Sequence, residues 1–307
     1  MDAGNSVEPI SQERLVHDLE ALGVRPGDLL NIKVSMRSIG YVVGGPRTLI
    51  EAMREVIGPQ GTIVAEAFVK VHPLPLSKRD ARRITDRYTP SYAGALANTM
   101  LHYPEALCSR HPVQRFVGIG GEAKALMEAH GPESYAYDVL GVMARTGRGR
   151  NLKIGTDEQV VGVGTTHVAI GELKLHQNRP RMGVNYYDYE LGQIRTFERN
   201  WSGGCVEGFN SLVPLYRQGG AVLSEGRVGN AESKISDMKK TLEIELEALS
   251  RDPTAFFCTD PACEGCRLTW DFSTGSARSV RYHRIKKGLG KLRRIGVRKL
   301  ISRAMGI

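Results

Sequence analysis

Three cysteines lie within nine residues in the stretch CTDPACEGC. Cys258, Cys263 and Cys266 are separated by four and two residues. This spacing places three soft ligands on one tight loop, and a fourth ligand would complete a tetrahedral zinc site. Cys205, in WSGGCVEGF, is the candidate for the fourth ligand if the chain returns to the loop, and a histidine is the alternative. The pattern predicts a structural zinc site; the competing interpretation is a surface loop with reduced cysteines.

A histidine follows an apolar run in VVGVGTTHVAIGELKL, residues 160–175. Residues 160–163 predict a buried strand, the Gly-Thr-Thr stretch a polar turn, and the residues after it a helix. His167 then lies at the turn, with Glu172 five residues further on. A positioned histidine supported by a carboxylate can remove a proton from a substrate. Two interpretations stay open: His167 is a general base, or it is a turn histidine bonded to the backbone.

Strands and helices alternate along the chain, which is typical of an α/β layered fold with parallel strands. The patterns predict helices at about residues 11–22, 48–57, 94–103, 121–130 and 235–249, and strands at 29–34, 62–68 and 116–119. Ligands collect outside the carboxyl ends of parallel strands. Glu66, within the second predicted strand, is therefore a candidate to bind an amine cation or to assist a base. The alternative is an ion-paired surface carboxylate.

Positive charge is concentrated at the carboxyl terminus. The segment 272–307 carries 11 of the 42 basic residues and no acidic one, which leaves 31 basic against 33 acidic residues elsewhere. We therefore expect an α/β domain over residues 1–271, with its cysteine-rich loop at 258–266, and a basic tail over 272–307. The tail interleaves apolar and basic residues, which favours an anionic membrane surface or a protein partner. A solvated tail is the alternative, and nucleic acid is disfavoured because no recognition motif accompanies the charge.

The amino terminus is polar and acidic and lacks the basic start and apolar run of a signal peptide. No stretch approaches the roughly 20 apolar residues that span a bilayer. We therefore expect a cytoplasmic protein, and the sequence leaves its oligomeric state open.

Several short motifs, in order over roughly residues 30–250, resemble those of the aminoglycoside 3-N-acetyltransferases. They are VSMRSIGYVVGGPRTLIEAMREVIGPQGTIVAEAF, YTPSYAGALANTM, SRHPVQRFVGIGGEAKALMEAH, VVGVGTTHVAIGELK and EGRVGNAESKISDMKKTLEIEL. The resemblance implies a three-layer α/β/α fold with a mixed, largely parallel sheet. It also implies transfer of an acetyl group from acetyl-CoA to an amine of an aminoglycoside or related amino sugar, the chemistry of antibiotic resistance. A base removes the amine's proton, and no covalent intermediate is needed.

The resemblance also implies site residues. Aligning Glu172 with the glutamate of the family's LHLAE motif puts Ala169 at the base position, so that His167 falls two places early. His111, in the HPVQRF stretch, matches a family histidine and is a second candidate base; its alternative role is to order the turn at Pro112. The family's His-Ser-Ser stretch is replaced by Lys-Val-Ser here. Three residues in or just after it are candidates to line the path of CoA, and a purely structural role at the strand end is the alternative: Ser35, Arg37 and Ser38.

Two other functions remain open. A catalytically silent relative could bind CoA or a sugar, or scaffold a polysaccharide or natural-product pathway, and Ala169 at the aligned base position favours it. An enzyme with another acceptor or acyl group, and with a base from elsewhere, is the third hypothesis.

Overall fold

The computed structural model describes residues 8–156, 163–175, 177–178, 180–201, 204–272 and 275–295. The helices are α1 Gln12–Leu22, α2 Met36–Ile39, α3 Pro46–Ile57, α4 Ala95–Leu101, α5 Ala123–Glu128, α6 Asp138–Arg145, α7 Val163–Glu172, α8 Val206–Asn210, α9 Val213–Gln218, α10 Met238–Arg251, α11 Glu264–Arg267 and α12 Ala277–Ile295. The strands are β1 Leu29–Val34, β2 Thr62–Glu66, β3 His72–Pro73, β4 Ile84–Thr85, β5 Leu107–Cys108, β6 Phe116–Gly120, β7 Gly149–Ile154, β8 Met182–Asp188, β9 Gln193–Glu198, β10 Val222–Val228 and β11 Ala231–Asp237. None of the described helices is both long and apolar enough to cross a bilayer.

The main sheet has seven strands in the order β10-β11-β7-β1-β2-β6-β5. The α/β class and the mixed sheet are as predicted. Parallel pairing, however, is limited to β1 with β2 and β1 with β7, and the outer strands pair antiparallel, so the sheet is not largely parallel. Short links explain two of the antiparallel pairs, because β5–β6 and β10–β11 are joined by too few residues for the crossover that parallel pairing needs.

Helices cover both faces of the main sheet, which gives three layers. Alternation along β1 sends Leu30 and Ile32 into one apolar cluster with α1, α3 and α4. Leu29 points the other way, into a second cluster that contains residues of α6, α7 and α10. Both clusters are apolar at the centre of the sheet. The polar residues of β1 that point toward the second cluster are therefore an exception to its apolar composition.

A second, smaller sheet joins β3, β8, β4 and β9, with β9 paired antiparallel to β8. Its strands β3 and β4 come from the proline-bearing segment between β2 and α4. They are two residues long, which is too short for a periodic signal.

Local predictions fail where tertiary contacts decide the conformation. The predicted strand at 160–163 lies outside the described residues except for Val163, which begins α7. The predicted turn from Gly164 to His167 is wrong, because these residues are helical. A Cβ on Gly164 would collide with Leu140 of α6, so the glycine permits close helix packing although it weakens helix propensity. The predicted helix at 235–249 begins three residues later, at Met238, after β11 ends.

A buried carboxyl group ties α7 to α10. Oε1 of Glu245 accepts hydrogen bonds from the hydroxyls of Thr165 at 3.1 Å, Thr166 at 2.6 Å and Tyr216 at 2.7 Å. Glu245 is fully buried. Burial raises the pKa of Glu245 to about 8, although the three hydroxyl donors oppose the shift. The side chain is therefore largely protonated at neutral pH and acts as a neutral acceptor.

We expect Glu245→Gln to remove the stability loss that the wild type shows as pH rises from about 4.5 to about 8. The unfolded carboxyl loses its proton near its ordinary pKa, whereas the folded one keeps it up to about pH 8. Stability is therefore lost as pH rises between these values, by at most about 1.4 kcal/mol per pH unit. Glutamine keeps an oxygen acceptor and does not titrate. The unfolding free energy of the variant, measured by urea denaturation, should increase relative to that of the wild type as pH rises.

Glu245→Leu is the matched comparison. It leaves three buried hydroxyls without their acceptor and should cost at least about 2 kcal/mol at every pH. If Glu245→Gln lost as much stability as Glu245→Leu, the buried group would have to be a carboxylate rather than a neutral acid.

Candidate functional site

Three charged side chains stand in a row at the carboxyl ends of the central strands. Lys33 of β1 pairs in register with Lys153 of β7. Glu66 ends β2 directly after Ala65, which pairs with Ile32, so Glu66 stands beside Lys33. These residues line a cleft of about 70 Å³ together with Gly164 of α7. The cleft lies where an α/β sheet usually binds its ligand.

A repeated pentapeptide builds part of this row. Residues 31–35 read NIKVS and residues 151–155 read NLKIG. Parallel pairing sets the two copies side by side, and Nδ2 of Asn31 donates to Oδ1 of Asn151 at 2.8 Å. Sequence reasoning missed Lys153 and both asparagines as cleft residues, and this repeat is the signal that could have found them.

His167 lies one helical turn beyond Gly164 on the same side of α7; it is buried and is not among the residues that line the cleft. Its ring stacks on Tyr137, with centroids 4.3 Å apart and planes 8° apart, and forms a T-shaped contact with Phe209, with centroids 5.3 Å apart. Burial and the nearby charge of Lys33 lower the pKa of His167 to about 4. Its Nδ1 has no hydrogen-bond partner among the described residues. The ring is therefore a neutral, oriented imidazole at neutral pH.

Glu66 also lies close to α7 and affects the pKa of a neighbouring phenol. A Cβ on Gly164 would stand 3.8 Å from Oε1 of Glu66, so the carboxylate reaches the first turn of α7. Burial first, and then the charge of Glu66, raise the pKa of Tyr137 well above its usual value. The phenol beneath His167 is therefore neutral.

The helical geometry changes the interpretation of Ala169. Ala169 lies one turn beyond Thr165, on the face whose hydroxyls bond Glu245 of α10. A histidine at this position would point away from the cleft. Anchoring the alignment on His167-Val168-Ala169, which matches His-Leu-Ala of the LHLAE motif, puts the histidine on the cleft side instead. The structure does not bring Glu172 to the cleft, since it ends α7 and forms an ion pair with Arg145 at the surface.

The candidate CoA residues lie in the turn after β1. The Ser35 and Ser38 hydroxyls are 2.8 Å apart, and Ser38 Oγ donates to the Gly155 carbonyl at 2.8 Å. These bonds tie the loop after β1 to the loop after β7. Arg37 is exposed, and no described residue pairs with it, so its guanidinium is the cation of this turn that a phosphate can reach.

His111 is placed away from the cleft. Its Nδ1 accepts the N–H groups of Val113 at 3.2 Å and Gln114 at 3.0 Å, which orders the turn at Pro112. The ring is fully buried, and burial together with His130 lowers its pKa to about 3. His111 borders a separate cavity of about 280 Å³. The geometry favours the turn-ordering role over the role of a base.

The four cysteines come together as one cluster. The Sγ atoms of Cys205, Cys258, Cys263 and Cys266 all lie within 4.8 Å of one another. Tetrahedral zinc, with Zn–S distances of about 2.3 Å, would place its sulfurs about 3.8 Å apart, so the spacing fits. The Cys258 N–H donates to Sγ of Cys266 at 3.4 Å, which helps to fix that thiol. Burial raises the pKa of Cys205 to about 11 and that of Cys266 still further, so these thiols need a cation to ionise.

Helix α8 connects the cysteine cluster to His167. Cys205 precedes α8, and a Cβ on Gly208 would collide with the Phe256 carbonyl oxygen and meet Sγ of Cys266, so only glycine allows this approach. The next residue, Phe209, forms a T-shaped ring contact with His167. The cysteine-rich loop 258–266, called the Cys loop below, thus supports one wall of the pocket that holds His167.

Comparison with known proteins places these elements in a family. A family model described as aminoglycoside 3-N-acetyltransferase matches residues 32–250. Aminoglycoside N(3)-acetyltransferase VIII of Streptomyces fradiae is 37% identical over 156 residues, covering 45% of this chain and 54% of that protein. Aminoglycoside N(3)-acetyltransferase VII of Streptomyces paromomycinus is 34% identical over 212 residues, covering 63% of this chain and 69% of that protein.

Solved structures agree on the fold. The sisomicin-bound enzyme AAC-VIa has a TM-score of 0.67 and 25% identity, and the match covers 80% of this chain and 98% of that one. AAC-IIIb in its binary complex with CoASH has a TM-score of 0.64 and 21% identity over 80% of this chain and 97% of that one. The predicted fold class and the predicted family of acyltransferases are confirmed. The chain belongs to the aminoglycoside 3-N-acetyltransferase family.

Proposed function

We propose that the chain transfers an acetyl group from acetyl-CoA to an amine of an aminoglycoside or a related amino sugar. The observation that carries the proposal is that the family match, residues 32–250, includes the strand ends and Gly164 of α7, which line the cleft, together with the Ser35–Ser38 turn that follows β1. Relatives with this fold hold sisomicin and CoASH, an aminoglycoside and the deacetylated donor.

His167 is the proposed base. The acceptor amine is protonated near neutral pH, and only its free form attacks the thioester carbonyl. The ammonium first releases one proton to solvent, and the neutral imidazole then takes the second proton from the attacking amine while the new C–N bond forms. The C–S bond then breaks, and the proton passes to the departing CoA thiolate. Glu66, at the end of β2, is placed to attract the cationic amine before the proton leaves.

Arg37 is the proposed cofactor contact. It is exposed on α2, and the hydrogen bonds of Ser35 and Ser38 fix the turn that carries it. In this arrangement the serine hydroxyls stabilise the turn by hydrogen bonds, and the Arg37 guanidinium binds a phosphate of CoA.

One observation favours a second function. A histidine with a pKa of about 4 is a weak base, and general bases work best when their pKa is near the working pH. A relative that binds CoA or an amino sugar without acetylating it is therefore the alternative.

His167→Ala and His167→Gln should lower kcat/KM roughly 100- to 10,000-fold, because the base is lost. The measurement is acceptor-dependent CoA release over a panel of aminoglycosides and amino sugars, with acetyl-CoA binding followed by calorimetry. Binding should persist in both variants. His17→Ala, on the exposed part of α1, is the matched control and should leave the rate unchanged.

Three outcomes separate the hypotheses. Turnover that survives both His167 substitutions would remove His167 as the base. Acetyl-CoA binding without turnover on any acceptor would support the silent relative. Glu172→Gln should keep its activity, because the carboxylate pairs with Arg145 at the surface; a loss as large as that of His167→Gln would return Glu172 to the catalytic centre.

We further propose that the four cysteines hold a structural zinc ion. The donor set supports this: four thiols converge from two chain segments, two of them are buried, and all four zinc positions would be filled by protein. Such a closed site binds no substrate, and its contribution is to stability.

Zinc content should fall when one ligand is removed. Cys258→Ser should lose bound zinc, measured by atomic emission on purified protein, and should melt at a lower temperature because metal binding adds to the folding free energy. Cys108→Ser removes the cysteine outside the cluster and should change neither quantity. Equal metal content in the two variants would contradict the site.

A further inference from the structure

The last described helix, α12, is fixed to the body by one side. Val280 is buried, and two ion pairs reach the Cys loop: Lys287 Nζ with Asp260 Oδ2 at 2.7 Å, and Arg284 with Glu264. These three residues recur at helical spacing, so they mark a single face of α12. The orientation of the helix on the body is therefore defined.

The opposite face is apolar and exposed. Tyr282, Ile285 and Leu289 are three and four residues apart and form one stripe; they are 61%, 57% and 55% exposed. Leu289 is nine residues from the buried Val280, which is roughly two and a half turns and hence the other side of the helix. Large apolar side chains aligned in this way are unusual on a free surface.

Cations flank the stripe. On a helical projection Arg281 lies on one side of it and Lys286 on the other, with Arg278 between them near its start. All three are exposed, and none forms an ion pair with the part of the chain that the structure describes. No acidic residue occurs anywhere in α12. The face thus combines an apolar centre with a cationic rim.

We propose that α12 docks on the surface of an anionic phospholipid bilayer. The apolar stripe would enter the boundary between headgroups and acyl chains, and the rim cations would meet lipid phosphates. Charge complementarity selects this occupant, because α12 carries exposed cations beside the stripe and no acidic residue, and an anionic surface attracts such a face. The apolar stripe is the feature that a nucleic acid would not use. The proposal goes beyond acetyl transfer and does not depend on it.

The test is sedimentation of the full-length protein with vesicles. Vesicles of phosphatidylcholine alone should leave the protein in solution, and vesicles that also contain phosphatidylglycerol should carry it down in low salt and release it in high salt. The double variant Ile285→Glu, Leu289→Glu should lower the partition coefficient at least tenfold. Arg281→Gln and Lys286→Gln should each lower it about fivefold.

The control places the same change elsewhere on the surface. Leu191→Glu with Ile194→Glu alters two apolar residues of similar exposure, 58% and 54%, near and within β9, and should bind vesicles as the wild type does. Melting temperatures confirm that the variants fold, since the altered α12 side chains are exposed.

Several results would overturn the proposal. Equal binding of the double variant and the wild type would show that the stripe is not used. Equal binding to neutral and anionic vesicles would remove the electrostatic part. Binding to an acidic protein or to heparin, with no sedimentation on either vesicle, would assign the face to another polyanion.

Discussion

The parallel pairing of β1 with both β7 and β2 is the constraint on which the site depends. It brings three carboxyl ends to one edge and sets Lys153, Lys33 and Glu66 in a row. Because strands alternate, the same register sends apolar neighbours such as Ile32 into the opposite layer. The antiparallel strands outside this trio extend the sheet without changing its centre. A one-residue slip of β7 against β1 would turn Lys153 into the apolar layer, so the register is strongly specified.

Helix α7 is the second determinant, because each of its sides has a different partner. The threonine side bonds the neutral Glu245 of α10, and this fixes the rotation of the helix about its axis. Gly164 lets the helix approach α6 and Glu66 closely. The rotation that these contacts set turns His167 toward the cleft and Ala169 away from it. The low pKa of His167 follows from the same burial, so the geometry that orients the imidazole also weakens it as a base.

The strength of the local signal decides what the sequence can predict. β1 is apolar and bounded by turn residues, and its predicted limits agree with the structure. The clustered cysteines are conspicuous, and only one further cysteine, Cys205, had to be selected as their distant partner. By contrast, Gly-Thr-Thr reads as a turn, because the buried carboxyl that bonds the threonines lies about 80 residues away. β7 has only two apolar residues in GRNLKI, against four in LLNIKV of β1, so its apolar pattern is too weak to predict a strand, and its asparagine and lysine line the cleft.

The Cys loop contacts two parts of the chain, the pocket of His167 and helix α12. On one side Cys205 precedes α8, and Phe209 of that helix closes the pocket of His167. On the other side Asp260 and Glu264 hold α12 through ion pairs. A metal ion bound by the four thiols would fix both connections at once, because the acidic anchors lie between or beside its ligands in sequence. The exposed ion pairs are weak individually, so the rigidity of the loop rather than their strength would determine where α12 points. Loss of the metal would therefore loosen the pocket wall and the basic helix together, although the two are separated in the fold.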